Sequence, residues 1–95
     1  QGYEISSEDG LDIYPSVSVK AYPNPVTDYL ILSFSSFDLY GIKVILTDSK
    51  GVFLRLSEIV EAESRIDMAS LSAGVYFLKV LKDNRLLKTF KILKK

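Results

Sequence analysis

Cysteine, histidine and tryptophan are all missing from the 95 residues. Without cysteine there are no disulfides, no thiolate metal ligands and no thiol nucleophile. Without histidine, the commonest general base near neutral pH and the commonest metal-binding side chain are gone too. Catalysis would fall to carboxylates, lysines and tyrosines, which argues against an enzyme; neither a cofactor nor a metal is expected. An excess of one charge is also lacking, since 12 basic and 12 acidic residues cancel. That balance speaks against electrostatically driven nucleic-acid binding. No apolar run reaches the ~18–20 residues that cross a bilayer as a helix, and the N-terminus lacks the basic-then-apolar pattern of a secretory signal. The chain is therefore expected to be a piece of a longer protein.

What is present is enough for one core. Hydrophobic residues make up 47 % of the chain, and a chain this short buries roughly 60–65 % of its unfolded surface. Residues 1–16 stand apart: Glu4, Glu8, Asp9 and Asp12 occur there with no basic residue, among Ser6, Ser7, Gly10, Pro15 and Ser16. Such a stretch has too little apolar surface to offset the entropy of ordering it, and it is expected to be a flexible linker from an upstream domain. The folded domain is expected over residues 17–95. Charge is unevenly spread along the whole chain. Lys79, Lys82, Arg85, Lys88, Lys91, Lys94 and Lys95 face Asp83 alone, a net of +6 on the final hairpin, which leaves −6 on the rest.

From Val17 onward, short β-rich runs alternate with turn residues every eight to twelve positions, the habit of a sandwich or barrel. Seven strands are predicted: 17–22, 29–36, 42–47, 52–57, 64–68, 75–82 and 85–93. Leu30, Leu32 and Phe34 alternate with Tyr29, Ile31 and Ser33, and Val52, Leu54 and Leu56 alternate with Phe53, Arg55 and Ser57. Both are periods of two rather than 3.6. The predicted core is Leu30, Leu32, Phe34, Val44, Leu46, Leu54, Ile66, Tyr76, Leu78 and Val80. Pro23, Asn24 and Pro25 should end the first strand. Asp48 to Gly51 and Asp83-Asn84 should make hairpin turns. Glu58 to Glu63 is open between strand, helical turn and loop.

Three motifs remain. Tyr22-Pro23-Asn24-Pro25 is followed about fifty residues later by Gly74-Val75-Tyr76 opening a strand, and the chain closes on a Lys-rich strand, Lys88 to Lys95. Each has an ordinary reading: a rigid turn, core packing, and lysines that solubilise a strand and block edge-to-edge pairing. In this order, with the Asp-x-x-Gly turn at Asp48–Gly51, they resemble the type A C-terminal sorting domain of the type IX secretion system, over Val17 to Lys95. The resemblance implies a seven-stranded, immunoglobulin-like antiparallel β-sandwich. It also implies a signal that directs a folded cargo from the periplasm through an outer-membrane translocon, toward the cell surface or the extracellular space. A sortase then typically cuts the linker. Carried onto this chain, export recognition falls on Gly74, Tyr76, Lys91, Lys94 and Lys95, while Pro23, Asn24 and Pro25 are structural. A cleaving enzyme needs small residues in extended, accessible backbone, for which Ser6, Ser7, Gly10 and Ser16 are candidates. Two features depart from the pattern: there is no proline in the Ser72-Ala73-Gly74 loop, and Phe37 to Tyr40 form a bulky insertion. The competing readings are an accessory module of the same fold that binds carbohydrate or protein, and an enzyme or calcium site built on Asp28, Asp38 and Asp48.

Overall fold

The computed structural model describes residues 18–35 and 38–95. These contain seven strands and no helix: β1 (Val19–Tyr22), β2 (Tyr29–Phe34), β3 (Ile42–Asp48), β4 (Phe53–Glu58), β5 (Glu63–Asp67), β6 (Gly74–Lys82) and β7 (Arg85–Lys94). Every predicted run is a strand, with ends shifted by a residue or two. The predicted ends at Val17 and Ser36 lie outside the described residues, as do Phe37 and the linker 1–16 with Ser6, Ser7, Gly10 and Ser16.

The strands form two antiparallel sheets, β1-β2-β5 and β4-β3-β6-β7. Between them lie the alternating apolar residues of both, so the fold is the expected β-sandwich. The order differs in one respect from a constant-type immunoglobulin domain, whose fourth strand pairs in the sheet of the first two. Here β4 pairs with β3 instead.

That sheet assignment corrects one core expectation. Nine of the ten predicted core residues are buried, but Leu54 is exposed, as are Val52, Phe53 and Leu56. β4 is an edge strand, and its register places Arg55 opposite Leu46, on the inner face, and Leu56 opposite Ile45, on the outer one. A bulge where Leu46 gives way to Thr47 leaves Leu54 without an opposite residue. Arg55 then reaches across the open side of the sandwich, its Nη1 donating to the carbonyl of Asp67 on β5. The core also takes in Val19, Val26, Ile42, Ile59, Met68 and Ile92. Ile59 settles the open stretch after β4: its N–H donates to Ile42 O at 3.0 Å and its side chain is buried, so the strand leads into a plug before β5 begins.

The turns follow their chemistry. Asp48 Oδ1 accepts from the N–H groups of Lys50 (2.8 Å) and Val52 (2.9 Å), and Gly51 takes a φ of +87°. Asp83 and Asn84 both sit at positive φ, 51° and 66°, as a two-residue type I′ hairpin requires. Gly41 is held against that hairpin. Asp83 N–H donates to Gly41 O at 3.0 Å, Gly41 has a φ of +79°, and a Cβ there would sit 2.2 Å from Asp83 Oδ1. Gly41→Ala is therefore expected to destabilise the fold by about 1–2 kcal/mol from the left-handed backbone alone, plus the cost of displacing the carboxylate. Urea melts of Gly41→Ala with and without Asp83→Ala should show part of the loss recovered in the double variant.

Candidate functional site at the end of the last strand

The first two sequence motifs converge on the third, the last strand. β7 is an edge strand of its sheet, so the backbone groups on its outer side need partners or water. Over Lys91 to Lys95 the partners come from the Pro23-Asn24-Pro25 segment, which carries cis peptide bonds at Tyr22–Pro23 and Asn24–Pro25. Asn24 Nδ2 donates to Lys91 O at 2.8 Å, and Asn24 Oδ1 accepts from Leu93 N–H at 2.9 Å. An amide side chain thus imitates a strand residue, offering one donor and one acceptor. Val26 continues the pairing: its N–H donates to Leu93 O (2.8 Å) and its carbonyl accepts from Lys95 N–H (2.9 Å) in a parallel bridge, with its side chain fully buried. The prolines contribute no N–H and fix φ on either side of Asn24. The segment is thus a clamp on the last strand as well as the end of the first.

Gly74 and Tyr76 meet the same strand from its other side. In the β6–β7 ladder Gly74 lies opposite Lys94, Tyr76 opposite Ile92 and Phe77 opposite Lys91. Gly74 has a φ of +154°, which suits glycine, and open space where a Cβ would stand. Tyr76 is buried in the core, and its hydroxyl donates to Ser72 O at 2.6 Å, pinning the loop that leads into β6. Tyr76→Phe keeps the ring and removes this bond, so a loss of about 1 kcal/mol is expected in denaturant melts. A larger loss would mean that the hydroxyl does more than hold the loop.

The lysines are less uniform than their number suggests. Lys91 projects on the outer face with Phe77, whereas Lys94 is half-buried and donates to Lys95 O at 3.1 Å. Lys82 is engaged with Tyr40 O (2.6 Å), and Lys88 lies 5.0 Å from the centre of the Phe90 ring. The +6 of this hairpin is therefore divided between both faces and the turn.

The features behind the competing readings are placed elsewhere. Asp38 precedes β3 and Asp48 closes it, so a seven-residue strand of roughly 23 Å separates the two carboxylates. Asp38 Oδ1 caps Tyr40 N–H (3.2 Å), and Asp28 lends its carbonyl to Met68 N–H (2.8 Å). Among the described residues no group of three acidic side chains is placed to hold a metal. On the outer face of β1-β2-β5, Arg65 covers the Tyr29 ring at 4.3 Å. Tyr22 donates to Glu63 at 3.3 Å, and desolvation, then the Glu63 carboxylate, raise its pKa above the ordinary phenol value.

What the sequence did not reveal is the clamp. Asn24 and Leu93 are 69 positions apart, and no local signal links them.

In comparisons with known proteins, the family model described as secretion system C-terminal sorting domain matches residues 20–95. The match begins at the second residue of β1 and takes in the clamp, the Gly74–Tyr76 segment and all of β7. No curated protein matches the chain.

Proposed function

The chain belongs to the secretion system C-terminal sorting domains, the type IX family, and we propose from this that its folded sandwich is the feature the export machinery reads, at the clamped end of β7. Membership makes the chain a sorting signal of a non-enzymatic family, with type IX machinery and a cargo in the same chain as its partners. Its destination is across the outer membrane, toward the surface or the extracellular space. The finer reading is that a folded cargo waits in the periplasm while the translocon engages Gly74, Tyr76, Lys91, Lys94 and Lys95. A sortase then removes the domain within the linker 1–16, at or near Ser6, Ser7, Gly10 or Ser16. The observation that carries this is the convergence of the first two motifs on one strand end, where Asn24 bonds Lys91 and Leu93.

The test is surface delivery of a folded reporter fused ahead of the full chain, in a bacterium with a working type IX translocon. Delivery of the intact fusion is expected, and its failure would remove the export assignment. Lys91→Ala is the informative variant, because an exposed lysine contributes within ~0.5 kcal/mol to stability. Its fusion should stay folded and accumulate in the periplasm. Normal delivery of Lys91→Ala would show that this side chain is not read. Deleting Lys94 and Lys95 is less clean, since it also removes the Lys95 N–H bond to Val26 O.

A further inference from the structure

The outer face of β4-β3-β6-β7 is unusual in being neither buried nor polar. Cross-strand register puts Phe53, Thr47 and Phe77 in one row and Leu56 and Ile45 in the next, with Val75 opposite Leu93 beyond Phe77. Phe53 is 59 % exposed, Leu56 51 % and Leu93 42 %. Thr47, flanked by Phe53 and Phe77, is the one buried polar residue among those described, at 5 % exposure. The apolar cover is therefore continuous enough to exclude water from a hydroxyl beneath it. A contiguous apolar patch of this kind on a monomer marks a contact surface.

One side of the patch is lined by charge. Lys91 pairs with Phe77, Lys79 with Ile45 and Lys43 with Leu81, so each lysine stands one strand over and one row along from the last. Strand and row spacings put neighbours roughly 8 Å apart on this diagonal. Glu58, opposite Lys43 on the edge strand, is the acidic residue among the strand residues of this face, which carries a net positive charge.

We propose that this face docks an acidic protein surface that lays apolar side chains over Phe53, Phe77 and Leu56 and sets carboxylates along the Lys43-Lys79-Lys91 line. Charge complementarity selects this occupant: a second copy docked by the same face sets its own Lys43-Lys79-Lys91 line against this one. An apolar centre with a charged rim is the usual build of a protein–protein contact. The proposal rests on the export reading, and the partner belongs to the export step.

The test uses the same reporter fusion of the full chain. If the unaltered fusion is not delivered, the export reading fails, and the docking proposal with it. Given delivery, Phe53→Ser/Leu56→Ser and Lys79→Glu/Lys91→Glu should each lower surface reporter at least tenfold while thermal midpoints of the purified chains hold. Lys79→Arg/Lys91→Arg and the opposite-sheet control Tyr29→Ser should deliver normally. Wild-type delivery by both the serine and glutamate pairs overturns the proposal, and so does equal loss in the arginine pair. Two further outcomes also overturn it: a dimer of the chain in sedimentation that Leu56→Ser abolishes, which assigns the face to a second copy, and binding to phosphatidylglycerol vesicles that Lys79→Glu abolishes, which assigns it to a lipid surface.

Discussion

Ile92→Ala is expected to lower the unfolding free energy by about 3 kcal/mol, within the 2–5 kcal/mol range seen when a buried aliphatic is cut to a methyl. Ile92 has no exposed surface and stands opposite Tyr76 near the end of β7. The rigid ladder on one side and the clamp on the other limit how far the site can collapse around the missing atoms. Small domains hold only about 5–15 kcal/mol in total, so the variant loses a large share of its margin. The neighbour supplies the control. Leu93 points to the opposite face and is 42 % exposed, so Leu93→Ala should cost below about 1 kcal/mol. Urea melts of the two should differ in midpoint with a common slope. Equal midpoints would show that the alternation of β7 is wrong.

Asn24→Ala tests the clamp directly. It removes a donor and an acceptor at once, from Lys91 O and Leu93 N–H, and two such bonds together contribute roughly 1–3 kcal/mol. Exposure of Asn24 places the result toward the lower half, since water can replace both partners. The distinguishing reading is local. Hydrogen exchange at the Leu93 amide should accelerate far more than at amides bonded within the β3–β6 ladder, because only the outer edge of β7 is released. Asn24→Asp keeps the acceptor for Leu93 N–H but sets a carboxylate oxygen against Lys91 O, so protection at Leu93 should fall between wild type and alanine. Unchanged protection at Leu93 in Asn24→Ala would show that the amide is not what holds the strand.

The strands were legible because each buried face repeats every second residue, and the turns because aspartate, asparagine and glycine sit where positive φ or side-chain capping is needed. β4 was not. Val52, Leu54 and Leu56 alternate as a buried strand should, yet Leu54 and Leu56 lie on an edge strand with a bulge, whose inward positions went to Arg55 and Ser57. Periodicity reports that two faces differ; pairing decides which one is covered. Val26 and Ile59 escaped because they lie outside strands, where no period applies. The total of seven basic residues near the end could be counted, but their division among faces depends on register. Asn24 read as a turn residue from its flanking prolines, and its other role depends on a contact across most of the chain.

The Asn24–Val26 clamp also sets an order in time. A polypeptide emerges residue by residue, and a contact between positions 24 and 93 closes only after everything between them has appeared; such distant pairings form slowly. A chain broken anywhere before Lys91 leaves Asn24 and Val26 with nothing to grip, however well the earlier strands pair. The finished shape of this strand end thus depends on residues 91–95 having been made and having paired with residues 24–26.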